Sequence, residues 1–141
     1  MTRWPDINET ALNHFPLVQR GNGGPIPSRA ALAEGWKTCI FSLLDIRELE
    51  DDWDGQGTPA PSTDLVDSAT ILAILLRRRD VLPPTFAYQT LSGGVLLDWP
   101  LPNKAMITVE VTRPYEAEVL WYSGEGETTA TPLFDPVCYV V

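Results

Sequence analysis

The chain has 141 residues, 44% hydrophobic and 21% charged, which is a single-domain length with the composition of a folded globule and not of a disordered chain. Nineteen acidic residues against ten basic ones leave a net charge of −9. That balance argues against a nucleic-acid binder, which needs a basic face for phosphates, and against docking on an anionic membrane; it favours a basic protein partner.

No apolar run approaches the ~20 residues of a membrane span, and residues 1–27 lack the continuous apolar core of a secretory signal, so a cytoplasmic location is expected. Cys39 falls in an apolar helical pattern and Cys138 in an apolar tail, where both are expected as buried, reduced thiols. Two cysteines and the sole histidine, His14, do not make a zinc site, and no cofactor or metal is expected.

Residues 1–27 read as an irregular N-terminal arm with a short helix around residues 8–14, closed by the Gly21-Asn22-Gly23-Gly24-Pro25-Ile26-Pro27 break. Trp4 and Phe15 in this arm either anchor an interface or pack the arm on the body. Residues 28–141 read as one α+β domain. Ser28 is a good N-cap, and Leu32, Trp36, Cys39, Ile40, Leu43 and Ile46 follow at steps of three and four, so a helix is expected from Ser28 to about Glu50. Gly35 weakens it by about 1 kcal/mol against alanine.

A second helix starts at the Ser62 cap, with Asp64 at the positive end of its dipole. Leu65, Ala69, Leu72 and Leu76 form its stripe, and Ile71, Ala73, Ile74 and Leu75 widen it to most of the circumference, which predicts heavy burial. Arg77, Arg78 and Arg79 suit the carbonyl end or counter the acidic stretch upstream, and Pro83-Pro84 end the segment.

The period then changes from 3.6 to 2. Strands are expected at 85–91, 95–99, 107–112 and 117–122, with turns at Ser92-Gly93-Gly94, Pro100–Lys104, Arg113-Pro114 and Ser123–Glu127, and a short strand at 128–131. The apolar tail Val137–Val141 is expected to dock on the body. Helices followed by strands predict an α+β fold, two helices packed on one face of an antiparallel β-meander of about four strands.

The stretch 48–62 is the densest feature. Glu48, Glu50, Asp51, Asp52 and Asp54 surround Trp53, with Gly55 and Gly57 as hinges. Three readings compete: a structural corner in which Trp53 folds back onto the core, a docking face for a basic partner, and a divalent-cation loop. The last lacks its ligands, since the twelfth position counted from Asp52 is Thr63 and not the bidentate glutamate of a calcium loop. Two further sites enter as alternatives. One is a small-molecule pocket between sheet and helices lined by Trp99, Glu110, Trp121 and Tyr122. The other is a hydrolase centre using Asp52, Asp54 or Glu110. No catalytic constellation is legible, which favours a non-enzymatic interaction or regulatory protein: an accessory, an inhibitor or an antitoxin-like regulator.

The run Trp53-Asp54-Gly55-Gln56-Gly57-Thr58-Pro59-Ala60-Pro61-Ser62, with Gly93–Trp99 and Ile107–Val111, resembles small bacterial proteins carrying a WDG-x-G-A-P-x-P-S motif, a later G-G-[VI]-x-L-E-W strand and an acidic strand. The likeness spans roughly residues 40–122, with Asp98 where glutamate is usual and Thr58 where alanine is common. It implies a bacterial or phage origin and a compact α+β fold, and assigns no catalytic residue.

Overall fold

The computed structural model describes residues 3–18 and 26–134. The elements in chain order are α1 (Glu9–Leu12), α2 (Arg29–Arg47), α3 (Thr63–Arg78), β1 (Phe86–Gln89), β2 (Val95–Pro100), β3 (Met106–Arg113), β4 (Glu116–Tyr122) and β5 (Thr128–Pro132). The fold is α+β: the strands form one antiparallel sheet in the order β1-β2-β3-β4-β5, a five-stranded meander where about four strands were expected. The fifth is the short strand at the 128–131 position.

Both long helices start where the sequence places their caps. Ser28 Oγ accepts the Ala31 N–H at 3.1 Å and Ser62 Oγ accepts the Leu65 N–H at 3.1 Å, each satisfying one of the free first-turn donors. α2 stops at Arg47, with Glu48 as its C-cap, a little short of the expected Glu50. α3 stops before the proline pair. Asp80 takes a positive φ of 61°, its N–H reaches the Arg77 carbonyl, and the Val81 N–H reaches the Leu76 carbonyl. These are the two reverse bonds of a Schellman closure, with Val81 buried alongside Leu76. The Arg47 guanidinium bonds Asp67 at 2.8 Å and ties the end of α2 to the start of α3, as an antiparallel helical hairpin requires. Ile71 and Ile74 are 40% and 42% exposed, so α3 buries a narrower stripe than expected.

Gly35 is explained by its neighbour. A Cβ there would lie 2.5 Å from Pro83 Cγ, so the glycine lets the chain entering β1 pack against α2. The helix gives up intrinsic stability to allow that approach.

Alternation sets the two faces of the sheet. Val95, Leu97 and Trp99 of β2, Ile107, Val109 and Val111 of β3, and Val119 of β4 face the helices and form one core with Trp36, Cys39, Leu43, Leu72 and Leu76. Residues of the N-terminal segment contribute to that core, the second of the two alternatives weighed for Trp4 and Phe15. Trp4, Ile7, Ala11, Leu12 and Phe15 are all buried in it. Trp4 Nε1 donates to the Ser68 carbonyl at 2.7 Å, and Phe15 meets Trp99 edge-on at 5.0 Å. The segment is also tied by backbone bonds, Asn8 N–H to the Leu133 carbonyl and Leu82 N–H to the Pro16 carbonyl. An interface anchored by Trp4 and Phe15 is therefore ruled out by their burial. The Val137–Val141 tail, Cys138 and residues 21–25 of the glycine-rich break lie outside the described residues.

Candidate functional site

The acidic corner spends its carboxylates on its own backbone. Asp51 Oδ1 accepts the Ala60 N–H at 2.9 Å, and Asp52 Oδ1 accepts the Gly57 N–H at 2.6 Å. Asp54 Oδ1 accepts the Gln56 N–H at 3.0 Å while its Oδ2 accepts the Thr58 hydroxyl. The Asp52 N–H closes the loop on the Thr58 carbonyl at 2.8 Å. The Thr58 hydroxyl first, and then the Gln56 amide, hold the Asp54 carboxyl below the ordinary aspartate range. Three acids in register with free loop amides thus act as staples that replace secondary structure over 51–60.

Trp53 belongs to the same device. Its Nε1 donates to the Pro59 carbonyl at 3.3 Å and its ring is half-buried outside the core, so it clamps its own loop instead of folding onto the body. The acids without such loop bonds are Glu48, the C-cap of α2, and Glu50; both are exposed. The arginines at the end of α3 do not meet this corner: Arg79 pairs with Glu9 of α1.

The expected pocket residues fall on two faces. Trp99 is buried and Trp121 half-buried against the helix-packed core, whereas Glu110 and Tyr122 occupy even-numbered positions on the opposite face. Period-2 geometry separates them by the thickness of the sheet, so the four do not line one cavity. Trp99 is fixed by its indole N–H, which donates to the Leu82 carbonyl at 2.7 Å.

The face turned away from the helices takes no part in the core. Its rows follow the register: Tyr88, Leu96, Glu110, Glu118 and Pro132 in one; Phe86, Asp98, Thr108, Leu120 and Ala130 in the next; Pro100, Met106, Tyr122 and Thr128 beyond. At its centre Asp98 is only 4% exposed although it lies on this open side. Both of its oxygens are satisfied, Oδ2 by the Tyr88 hydroxyl at 2.6 Å and Oδ1 by the Thr108 hydroxyl at 2.7 Å. The Asp98 bond, more than burial, pushes the Tyr88 phenol up to about 12.

Beside this network, Glu110 stands directly opposite Glu118, and the next pair along that face, past a bulge in β3, sets Arg113 opposite Glu116. Phe86 and Tyr88 are 56% and 40% exposed at the margin. The face therefore combines carboxylates with accessible aromatic rings. Sequence reasoning did not give Tyr88 and Asp98 a role. The even-position alternation contained the signal for Asp98, but its partners depend on hairpin register.

Among the described residues no group of three or more His, Cys, Asp or Glu side chains is placed to hold a metal ion, and no helix is long and apolar enough to cross a membrane. Comparison with known protein families, with curated proteins and with solved structures gave no match.

Proposed function

We propose that this protein is a non-catalytic binding module that recognises a basic protein segment on the open face of its sheet, acting in the cytoplasm as an accessory, inhibitor or antitoxin-like regulator. The observation that carries the reading is the in-register Glu110–Glu118 pair beside Asp98 and the exposed Phe86 and Tyr88 rings. Two like charges directly across a strand pair are unfavourable in the free protein. A lysine or arginine from a partner relieves that repulsion, and its aliphatic stem or guanidinium packs on the neighbouring rings. The net charge of −9 adds long-range attraction. Glu48 and Glu50, free of the staple bonds at the corner, extend the negative surface. The hydrolase alternative loses Asp52 and Asp54, whose described bonds all serve their own loop.

Calorimetric titration with an Arg/Lys-rich peptide tests the reading. Glu110→Gln with Glu118→Gln should weaken binding about tenfold, equivalent to ~1.4 kcal/mol, and the remaining affinity should fall further as salt is raised. Unchanged binding by the double variant, with loss on Glu48→Gln and Glu50→Gln instead, moves the docking face to the acidic corner.

A further inference from the structure

Between the Trp4–Ile7 segment and the last turn of α3 lies a pocket of about 240 Å³. Trp4, Pro5, Ile7 and Leu75 supply its apolar lining. The Trp4 ring is held rigidly: its N–H is bonded to the Ser68 carbonyl, and it stacks on Phe134 at 4.8 Å and meets Tyr115 at 5.5 Å. The wall is therefore preformed, which spares a ligand the cost of ordering it.

Two guanidiniums, Arg78 and Arg79, complete the lining. Arg79 is committed to Glu9, but Arg78 makes no ion pair or hydrogen bond among the described residues. Asp6 shares the lining and pairs with neither arginine. The ordinary role of arginine at a helix C-terminus, complementing the exposed carbonyls, accounts for the residue type. It does not account for an uncommitted guanidinium at an apolar cavity in a chain where acids outnumber bases 19 to 10. Arginine's planar fork is suited to a carboxylate taken bidentately.

We infer that this pocket binds a small apolar monocarboxylate, its hydrocarbon or aromatic body against Trp4, Pro5 and Leu75 and its carboxylate on Arg78. The volume is below the ~300–1,000 Å³ of drug-sized sites, which suits a ligand of about ten heavy atoms. Asp6 opposes the ligand's charge and so orients it toward the arginine side.

The site lies apart from the open sheet face, so its test is independent of the proposed function. Phenylacetate, phenylacetamide and phenethylamine are titrated at millimolar concentration while the Trp4 indole N–H is followed by NMR. Phenylacetate should bind, and the neutral amide should bind about tenfold more weakly, as expected for loss of a charge-assisted pair. Arg78→Gln should weaken phenylacetate to the level of the amide and leave basic-peptide binding unchanged. Asp6→Asn should tighten phenylacetate severalfold. Equal binding of acid and amide, preference for the amine, indifference to Arg78→Gln, or no saturable binding of any probe overturns the inference. Arg78 is exposed, and an unchanged melting temperature for the variant separates lost binding from lost folding.

Discussion

Glu110 and Glu118 occupy directly opposed positions on β3 and β4, on the side of the sheet that faces away from the helices. Cross-strand pairs at this spacing interact by a few tenths to ~1 kcal/mol, unfavourably for like charges. Either Glu110→Gln or Glu118→Gln should therefore raise stability by a few tenths of a kcal/mol in low salt, with the gain shrinking in high salt. Urea denaturation at two ionic strengths checks it. A loss of stability in both variants shows that the carboxylates already have compensating partners.

Tyr88 and Asp98 give the same face a pH dependence. The Tyr88 phenol is pushed up to about 12, chiefly by its bond to Asp98. An ordinary tyrosine loses its proton near pH ~10, so the unfolded chain releases this proton first. The contribution to stability is fully present below pH ~10 and declines as pH rises toward the folded value. Ultraviolet titration of the folded protein should show one phenol ionising late, and Tyr88→Phe should remove that phase.

The acidic corner behaves in the opposite sense. Asp54 is held below the ordinary carboxylate range by the Thr58 hydroxyl and the Gln56 amide, so its contribution is present above pH ~4 and is lost as pH falls through the folded value. Carboxylate NMR titration of wild type and Thr58→Val should show the Asp54 midpoint rising in the variant. An unmoved midpoint shows that the hydroxyl does not hold it.

Gly35 and Pro83 should be coupled. Gly35→Ala gains ~1 kcal/mol of helix propensity but forces a methyl to within 2.5 Å of the Pro83 ring, an overpacking worth ~1–3 kcal/mol. The single variant should lose about 1 kcal/mol, whereas the same change in a Pro83→Ala background should stabilise. A double-mutant cycle measures the difference directly.

Trp4→Ala tests whether the first described segment is part of the body. Removal of a buried tryptophan costs ~3–5 kcal/mol, and here it also removes the bond to Ser68. A loss under 1 kcal/mol is what a dispensable arm would give.

Local chemistry was legible in the sequence. Ser28 and Ser62 announced both helix starts, and alternation from 95 to 122 placed Val95, Leu97, Trp99, Ile107 and Val109 on one inner face. What escaped depends on partners distant along the chain. Trp4 reaches Ser68, and Ile7 pairs with Phe134, so the sequence alone left open whether the early segment packs on the body or anchors an interface. The end of α3 escaped for a different reason: an aspartate, Asp80, takes the left-handed position that glycine usually fills. At the candidate site, adjacency in one strand already puts Trp121 and Tyr122 on opposite faces, whereas the separation of Glu110 from Trp99 follows only from the β2–β3 register. Tyr88 and Asp98 meet only because the β1–β2 register carries a phenol diagonally to a carboxylate. The aspartates at 51, 52 and 54 stand out in the sequence as charge, whereas one oxygen of each accepts from a loop amide that follows it.

Docking of a basic partner on the open sheet face is the proposal on which the functional reading stands. Chemical-shift mapping with an Arg/Lys-rich peptide tests it most directly. Perturbations should concentrate on Tyr88, Leu96, Glu110, Glu118 and Tyr122, and should collapse in the Glu110→Gln, Glu118→Gln double variant. Perturbations confined to residues 48–58, or spread evenly over the acidic surface, contradict it.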